Sequence, residues 1–207
     1  MKKNNFSHLL KKNDNTNLKS MSKNTELLTS FIFLFFLLLF VQYAPFEQHQ
    51  VRSDSIFKMF FQFYFFVSNQ TLGMVHEAGH GVCYILPCPR FMMVINGTLF
   101  QVGFPLGIAY YYKNKMNAFG TYIALFFTGF SLQYTAWYIS TSHEGSHVSA
   151  AKSFLGVDGY HDFNYILNIF GLLPYDSLIS TMVKTFAYML MFYAVIKMFV
   201  RAFSHKS

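Results

Sequence analysis

Charge is scarce in this chain. Asp, Glu, Lys and Arg make up 12% of its 207 residues, about half the share of a soluble domain, so a charged, solvated globular surface is excluded. The nine acidic residues are outnumbered by sixteen Lys and Arg, for a formal charge of +7. Such a balance raises nucleic acid as a partner, but the distribution removes it. Lys2, Lys3, Lys11, Lys12, Lys19 and Lys23 all precede the first apolar run, and no basic–aromatic interleaving of the kind nucleic-acid grooves use follows. The lysines read instead as a membrane-topology signal that also suits anionic lipid headgroups. Cysteine is nearly absent. Cys83 and Cys88 cannot build a disulfide framework. Both fall near an expected cytoplasmic boundary, where thiols stay reduced, and both read as small buried residues. Cys83 stands one turn beyond His80 on the same helical face, which keeps a metal role open.

What is abundant is apolar and aromatic surface: 53% hydrophobic, 20% aromatic, 27 Phe. The composition predicts an all-α polytopic membrane protein with one membrane domain, residues 29–207, behind a basic, disordered cytoplasmic tail, residues 1–28. Met21 is an alternative start to Met1. About four transmembrane helices are expected, near 29–44, 56–86, 117–141 and 177–200. The first is short and reads as a retained anchor rather than a signal peptide, since no A-x-A site follows. Ser68-Asn69-Gln70 marks a possible break in the second. Gly97, Gly103, Pro105 and Gly107 punctuate residues 91–112, which predicts a re-entrant hairpin sheltered by protein. Residues 162–173 predict a short membrane-embedded or interfacial helix. With a re-entrant 91–112, Arg90, Lys113, Lys115, Arg201 and Lys206 fall on the side of the tail. Both termini are then cytoplasmic.

His76-Glu77-Ala78-Gly79-His80 lies within the second apolar stretch. Histidines at i and i+4 on a helix share a face and can reach one metal ion. Glu77, beside them, is placed to take a proton from water. Ionisable groups at membrane depth rarely persist without a partner or a task. The same pattern recurs in His143-Glu144-Gly145-Ser146-His147, so five letters alone prove little. The second copy sits among helix-poor residues at the end of a span, where i, i+4 geometry is not enforced, and reads as a solvated loop. A catalytic zinc needs three protein ligands. The third is sought among Asp158, His161, Asp162 and Asp176. Asp162 is equally suited to cap the short helix, and Asp176 to cap the last span.

The order of HEAGH, Arg90-Phe91-Met92, Asn96-Gly97-Thr98-Leu99-Phe100-Gln101 with Pro105-Leu106, and His161-Asp162-Phe163 with Ile166-Leu167 resembles the site-2 protease class of intramembrane zinc metalloproteases. It is more closely similar to a group of small bacterial membrane proteins placed near that class. In site-2 proteases the third ligand is an Asp in an N-x-x-P-x-P-x-L-D-G setting. Leu172-Leu173-Pro174-Tyr175-Asp176 departs from it in the Pro-to-Asp spacing. The closer group carries a His-Asp-aromatic motif instead, so the resemblance implies Asp162 as third ligand, with His161 as its rival.

The leading expectation is a zinc-dependent intramembrane endopeptidase of the bacterial inner membrane. Its ligands would be His76, His80 and Asp162, with Glu77 as general base. The 97–107 hairpin would present an edge to an unwound membrane-spanning protein substrate, with Gly97 and Gln101 as substrate-binding residues. An internal hydrogen bond is the competing role for Gln101. No regulatory domain is evident, so recognition is intrinsic or comes from a regulatory membrane partner. Two other readings are a zinc-stabilised scaffold, its site closed by Cys83 or His161, and a metal-transport component that gathers ions at His143 and His147.

Overall fold

The computed structural model describes residues 23–43, 56–148 and 159–204, with side chains in the second helix described from Gln70 onward. The expected tail up to residue 22, the start at Met1 or Met21, Asp158 and Lys206 lie outside the described residues. Among the described residues six α-helices carry the fold: α1 (Lys23–Tyr43), α2 (Ile56–Ile85), α3 (Arg90–Asn114), α4 (Ala118–Ser140), α5 (Asp162–Ile169) and α6 (Asp176–Ser204). A two-stranded antiparallel hairpin, β1 (His147–Val148) with β2 (Gly159–Tyr160), precedes α5. The all-α membrane reading holds at this level. Among the described residues three helical segments, Lys23–Gln42, Arg90–Asn114 and Leu173–Ser204, are long and apolar enough to cross a membrane.

The expected re-entrant hairpin is not formed: residues 91–112 lie in the uninterrupted helix α3. The reason is energetic. A mid-helix Gly costs about 1 kcal/mol and a Pro about 3 in water, but each backbone group left without a partner in a bilayer costs several kcal/mol. A continuous helix satisfies nearly all of them. Pro105 still lacks an N–H for the carbonyl of Gln101 four residues earlier, and the Ser131 hydroxyl of α4 donates to that carbonyl at 3.0 Å. The break at Ser68-Asn69-Gln70 is also absent, since α2 is helical through it. α1 begins at Lys23, inside the segment expected to be disordered. Its first turns are held by packing: Glu26 and Ser30 are buried, and the Ser30 hydroxyl donates to the Glu26 carbonyl at 2.7 Å.

α4 is the central helix. Phe126, Phe130, Tyr134, Trp137 and Tyr138 join Leu37 and Phe40 of α1 and Met191, Ala194, Val195 and Met198 of α6 in one core. Its Thr128, Ser131, Gln133 and Thr135 are buried as well. Thr128 and Thr135 bond back to their own helix, Ser131 to α3, and Gln133 contacts Met191. Lipid tails are as apolar as these side chains, so helices associate by close packing and interhelical hydrogen bonds. Gly129 shows this: a Cβ there would stand 2.5 Å from Met191 Cγ. The outer faces carry Phe31, Phe35 and Leu38 of α1, Phe104 of α3, and Met182, Phe186 and Phe203 of α6.

Pair contacts set the helix directions. α6 runs against α4, with Ser180 on Ala136 and Tyr193 by Tyr122. It also runs against α1, with Phe199 by Phe31 and Tyr188 on Phe40. α3 runs against α4, with Gln101 on Ser131 and Tyr112 by Gly120, and against the end of α2, with Met93 by His80 and Gln101 by His76. Lys23, Lys113, Lys115 and Arg201 therefore gather at one end of the bundle. Arg90, expected beside Lys113 and Lys115, lies at the other end because α3 runs straight through. The remaining correction concerns the cysteines. Cys83 and Cys88 are joined by a disulfide across the α2–α3 corner, in place of the two reduced thiols expected.

Candidate metal centre

The end of α2, the first half of α3, the last turns of α4 and the start of α5 meet at one cluster. HEAGH is helical, so His76 and His80 face the same way, their ring centroids 4.8 Å apart. α5 begins at Asp162, which turns its carboxylate onto both rings. Asp162 Oδ2 lies 2.8 Å from His76 Nε2 and 3.2 Å from His80 Nε2. His76, His80 and Asp162 form a group able to hold a metal ion, with ligand atoms all within 4.8 Å of one another. Tetrahedral zinc with ligands at about 2.0–2.2 Å places neighbouring ligand atoms roughly 3.3 Å apart, close to what is present.

Hydrogen bonds fix the ring states. His80 Nδ1–H donates to the Met93 carbonyl at 2.7 Å. Gln101 donates from Nε2 to the Ser131 carbonyl at 3.3 Å, which turns its Oε1 to His76 Nδ1 at 3.2 Å. That oxygen only accepts, so His76 Nδ1 carries the proton. Both Nε2 lone pairs then point at the carboxylate. Outer partners of this kind orient ligand histidines. The Ser131 hydroxyl holds the Gln101 carbonyl that Pro105 leaves free, so Ser131 and Gln101 lock each other through two bonds.

Gln101 is 2% exposed with both ends of its amide engaged. It braces His76, the internal hydrogen-bonding role that competed with substrate binding for this residue. Gly97, expected to bind substrate, sits where α3 crosses the cluster. A Cβ there would stand 2.6 Å from His80 Nε2 and 2.7 Å from His76 Nε2. One turn along α2, a Cβ at Gly79 would strike the Asn96 backbone, and Asn96 Nδ2 donates to the Gly79 carbonyl at 2.6 Å. Two glycines let the helices approach closely enough to enclose the site.

Asp162 and His161 divide two roles that the sequence left open between them. His161 is the N-cap of α5, its Nδ1 accepting from Asn164 N–H at 3.3 Å. Its Nε2 meets the Thr141 hydroxyl at 3.0 Å and its ring stacks on Tyr138 at 4.3 Å. It is not in the ligand group. Burial pushes its imidazole down to about 4, against the pull of the Asp162 charge. Asp162 stands in the first turn, where the helix dipole favours its charge, and its N–H donates to Tyr138 OH at 3.3 Å.

Glu77, next to His76 on α2, is half-buried. The second HExxH lies apart. Its His143 Nδ1 is 2.7 Å from Asp176 Oδ2, which also accepts from His143 N–H and the Ser142 hydroxyl. His147 pairs with Tyr160 in the β-hairpin. Asp176 Oδ1 accepts from Ser177 N–H at 2.6 Å in the first turn of α6, and Asp176 is not in the ligand group. Tyr138, Met93 and Ser131 serve the site without any signal in the sequence: Met93 acts through its carbonyl, Ser131 through its carbonyl and hydroxyl, and Tyr138 through its ring face and hydroxyl. Asn96-Gly97 was visible as part of the motif order and, for Gly97, as a break and a substrate contact, but not as the helix crossing that encloses the cluster. No family model, curated protein or solved structure matches the chain.

Proposed function

We propose that the chain is a zinc-dependent endopeptidase of the membrane, akin to the site-2 proteases, that cleaves membrane-spanning protein substrates. One observation carries the reading. Two imidazoles whose Nδ1–H groups are already donated turn bare Nε2 atoms onto one carboxylate at 2.8 and 3.2 Å. Three acceptors so placed repel one another unless a cation lies among them. One proton, on an imidazole or on Asp162, would join the carboxyl group to one nitrogen and leave the other unbridged, and a second would add net charge where His76 is 1% exposed, at a desolvation cost. A divalent metal serves with neutral His and ionised Asp, the forms that bind it.

A nitrogen and carboxylate donor set suits zinc. Three protein ligands are the complement of a reactive centre, which keeps its fourth position for water or substrate. The residues considered for closing it are engaged elsewhere: Cys83 with Cys88, and His161 with Asn164 and Thr141. That favours chemistry over a scaffold. Bound zinc would supply Lewis acidity to water and to a scissile carbonyl. Glu77 takes the proton of the attacking water and returns it to the leaving amine. Gln101 and the Met93 carbonyl keep both imidazoles in register. The apolar outer faces of α1, α3 and α6 place the whole assembly among lipids, where a membrane-spanning substrate is met.

The test is Glu77→Ala, expressed with a single-span substrate. It keeps zinc at wild-type stoichiometry and abolishes cleavage. Full cleavage by this variant refutes the proposal.

A further inference from the structure

We propose that the metal centre opens on the non-cytoplasmic, oxidising side of the membrane, and that the Cys83–Cys88 disulfide formed there is the clasp that keeps the centre assembled. The orientation stands without the metal reading, and the clasp's effect on the site rests on it. Two independent observations meet in the orientation.

The first is charge. The end of the bundle formed by the start of α1, the end of α3 and the end of α6 carries Lys23, Lys113, Lys115, Lys197 and Arg201 against Glu26. Five further lysines precede Lys23 in the sequence. The site half carries Glu77, Glu144, Asp162 and Asp176 against Arg90 and Lys184. Lysine and arginine mark the cytoplasmic ends of membrane helices. With α3 crossing as a helix, the ends of the bundle have opposite sign, and the site falls at the end away from the cytoplasm. This reverses the sequence-based expectation, which placed HEAGH near the cytoplasmic boundary by letting residues 91–112 turn back.

The second is the disulfide, which lies at the site end. Disulfides persist in oxidising compartments and are rare where thiols are kept reduced. The bond forms by exchange with a disulfide-bearing oxidant of that compartment, which takes up two electrons and two protons as its dithiol. Cys83 is buried and Cys88 half-buried, so the pair is reachable from the bundle end.

The bond has a position to act from. It closes a loop of sequence separation 5 between the helix end bearing His80 and the helix start bearing Met93, which orients His80. Asn96, whose side chain bridges to Gly79, also lies 3.7 Å from Cys83 Sγ. Opening the corner therefore loosens the Gly79–Gly97 crossing that sets His80 over Asp162.

The experiment has three arms. Met116→Cys at the basic end and Tyr160→Cys at the site end, 91% and 73% exposed in the native residues, are placed in a Cys83→Ser, Cys88→Ser background. They are labelled with an impermeant maleimide in sealed vesicles of known orientation. Residue 160 is expected to label only from the non-cytoplasmic side, and residue 116 only from the cytoplasmic side. The reverse pattern overturns the orientation. In the second arm, wild-type chain is alkylated with and without reductant, and a mass shift is expected only after reduction. Free thiols before reduction overturn the clasp. The third arm titrates zinc into the wild-type protein, oxidised and reduced, and into the double serine variant. Reduction or substitution is expected to weaken zinc at least tenfold with helicity retained. Equal affinity in all three refutes the control of the site by the bond. No zinc binding even to the oxidised protein sinks the metal reading and the clasp together, while the labelling still decides the orientation.

Discussion

A methyl group added at residue 97 tests the metal centre without touching a ligand. Gly97→Ala places a Cβ 2.6 Å from His80 Nε2, 2.7 Å from His76 Nε2 and 2.8 Å from His80 Cε1. Ordinary contacts of a Cβ begin near 3.4 Å, so one imidazole or the helix must give way by about 0.8 Å, several times the roughly 0.2 Å that ligand distances tolerate. Overpacking of this size costs about 1–3 kcal/mol. Expressed wholly as lost metal affinity, that is roughly 5- to 150-fold. The methyl also competes for the space between the two nitrogens that the ion needs, so the upper end is expected, about 100-fold or more. Gly103→Ala is the control. It lies on the same helix with nothing within 4 Å of its Cβ, and Ala favours a helix over Gly by about 1 kcal/mol. Zinc affinity is read by titration of the purified protein, and folding by circular dichroism and thermal unfolding. A folded Gly97→Ala that binds zinc as the wild type does would refute the geometry on which the function is built.

Three further outcomes follow from the same contacts. Gln101→Leu removes the acceptor that fixes His76 and is expected to weaken zinc about 10- to 100-fold, whereas Gln101→Glu, which keeps that acceptor, should lose less; equal losses would show that Gln101 does not act through His76. His143→Ala with His147→Ala should leave the zinc content unchanged, and loss of a metal equivalent would show a second site. In metal-free protein the His161 imidazole, held down to about 4 by burial, favours the fold in its neutral form. Its contribution is complete above the unfolded value near 6.5 and is lost as pH falls toward 4, by about 3 kcal/mol. Unfolding midpoints from pH 7 to 4 should show that loss, and His161→Asn, which can still cap α5, should flatten it.

The helices were legible because long apolar runs in a bilayer leave few alternatives to a helix. The same rule governs residues 91–112, which stay helical through their glycines and proline. Glycine and proline signal breaks in water, where solvent takes over the freed carbonyls. At Gln101 a neighbouring serine does so instead, and Gly97 makes room for the two imidazoles. His76, Glu77 and His80 were legible because four residues on a helix return to the same face. Asp162 was legible as a candidate and no more, because Asp and His are both able to cap a helix and to bind metal. Only three dimensions show that His161 caps α5 while Asp162 reaches α2, 86 positions away in sequence.

The duplicated motif explains why a five-letter pattern needs its surroundings. At 143–147 the backbone leaves the helix after Glu144, and Gly145 takes a φ of 133°, so His143 and His147 cannot share a helical face. His143 turns to Asp176 and helps to end α4 and begin α6. At 76–80 the helix continues, and every ring nitrogen meets a defined partner: Gln101 and Met93 behind, Asp162 in front. The partners behind accept protons, so the nitrogens in front have none to give. A carboxylate facing two such nitrogens is an arrangement a fold would hardly keep for hydrogen bonding alone, because neither side brings a donor. The chemistry follows from that mismatch more than from the letters: the same five-letter pattern with both Nδ1 atoms free could turn its rings to donate to Asp162 and would need no ion.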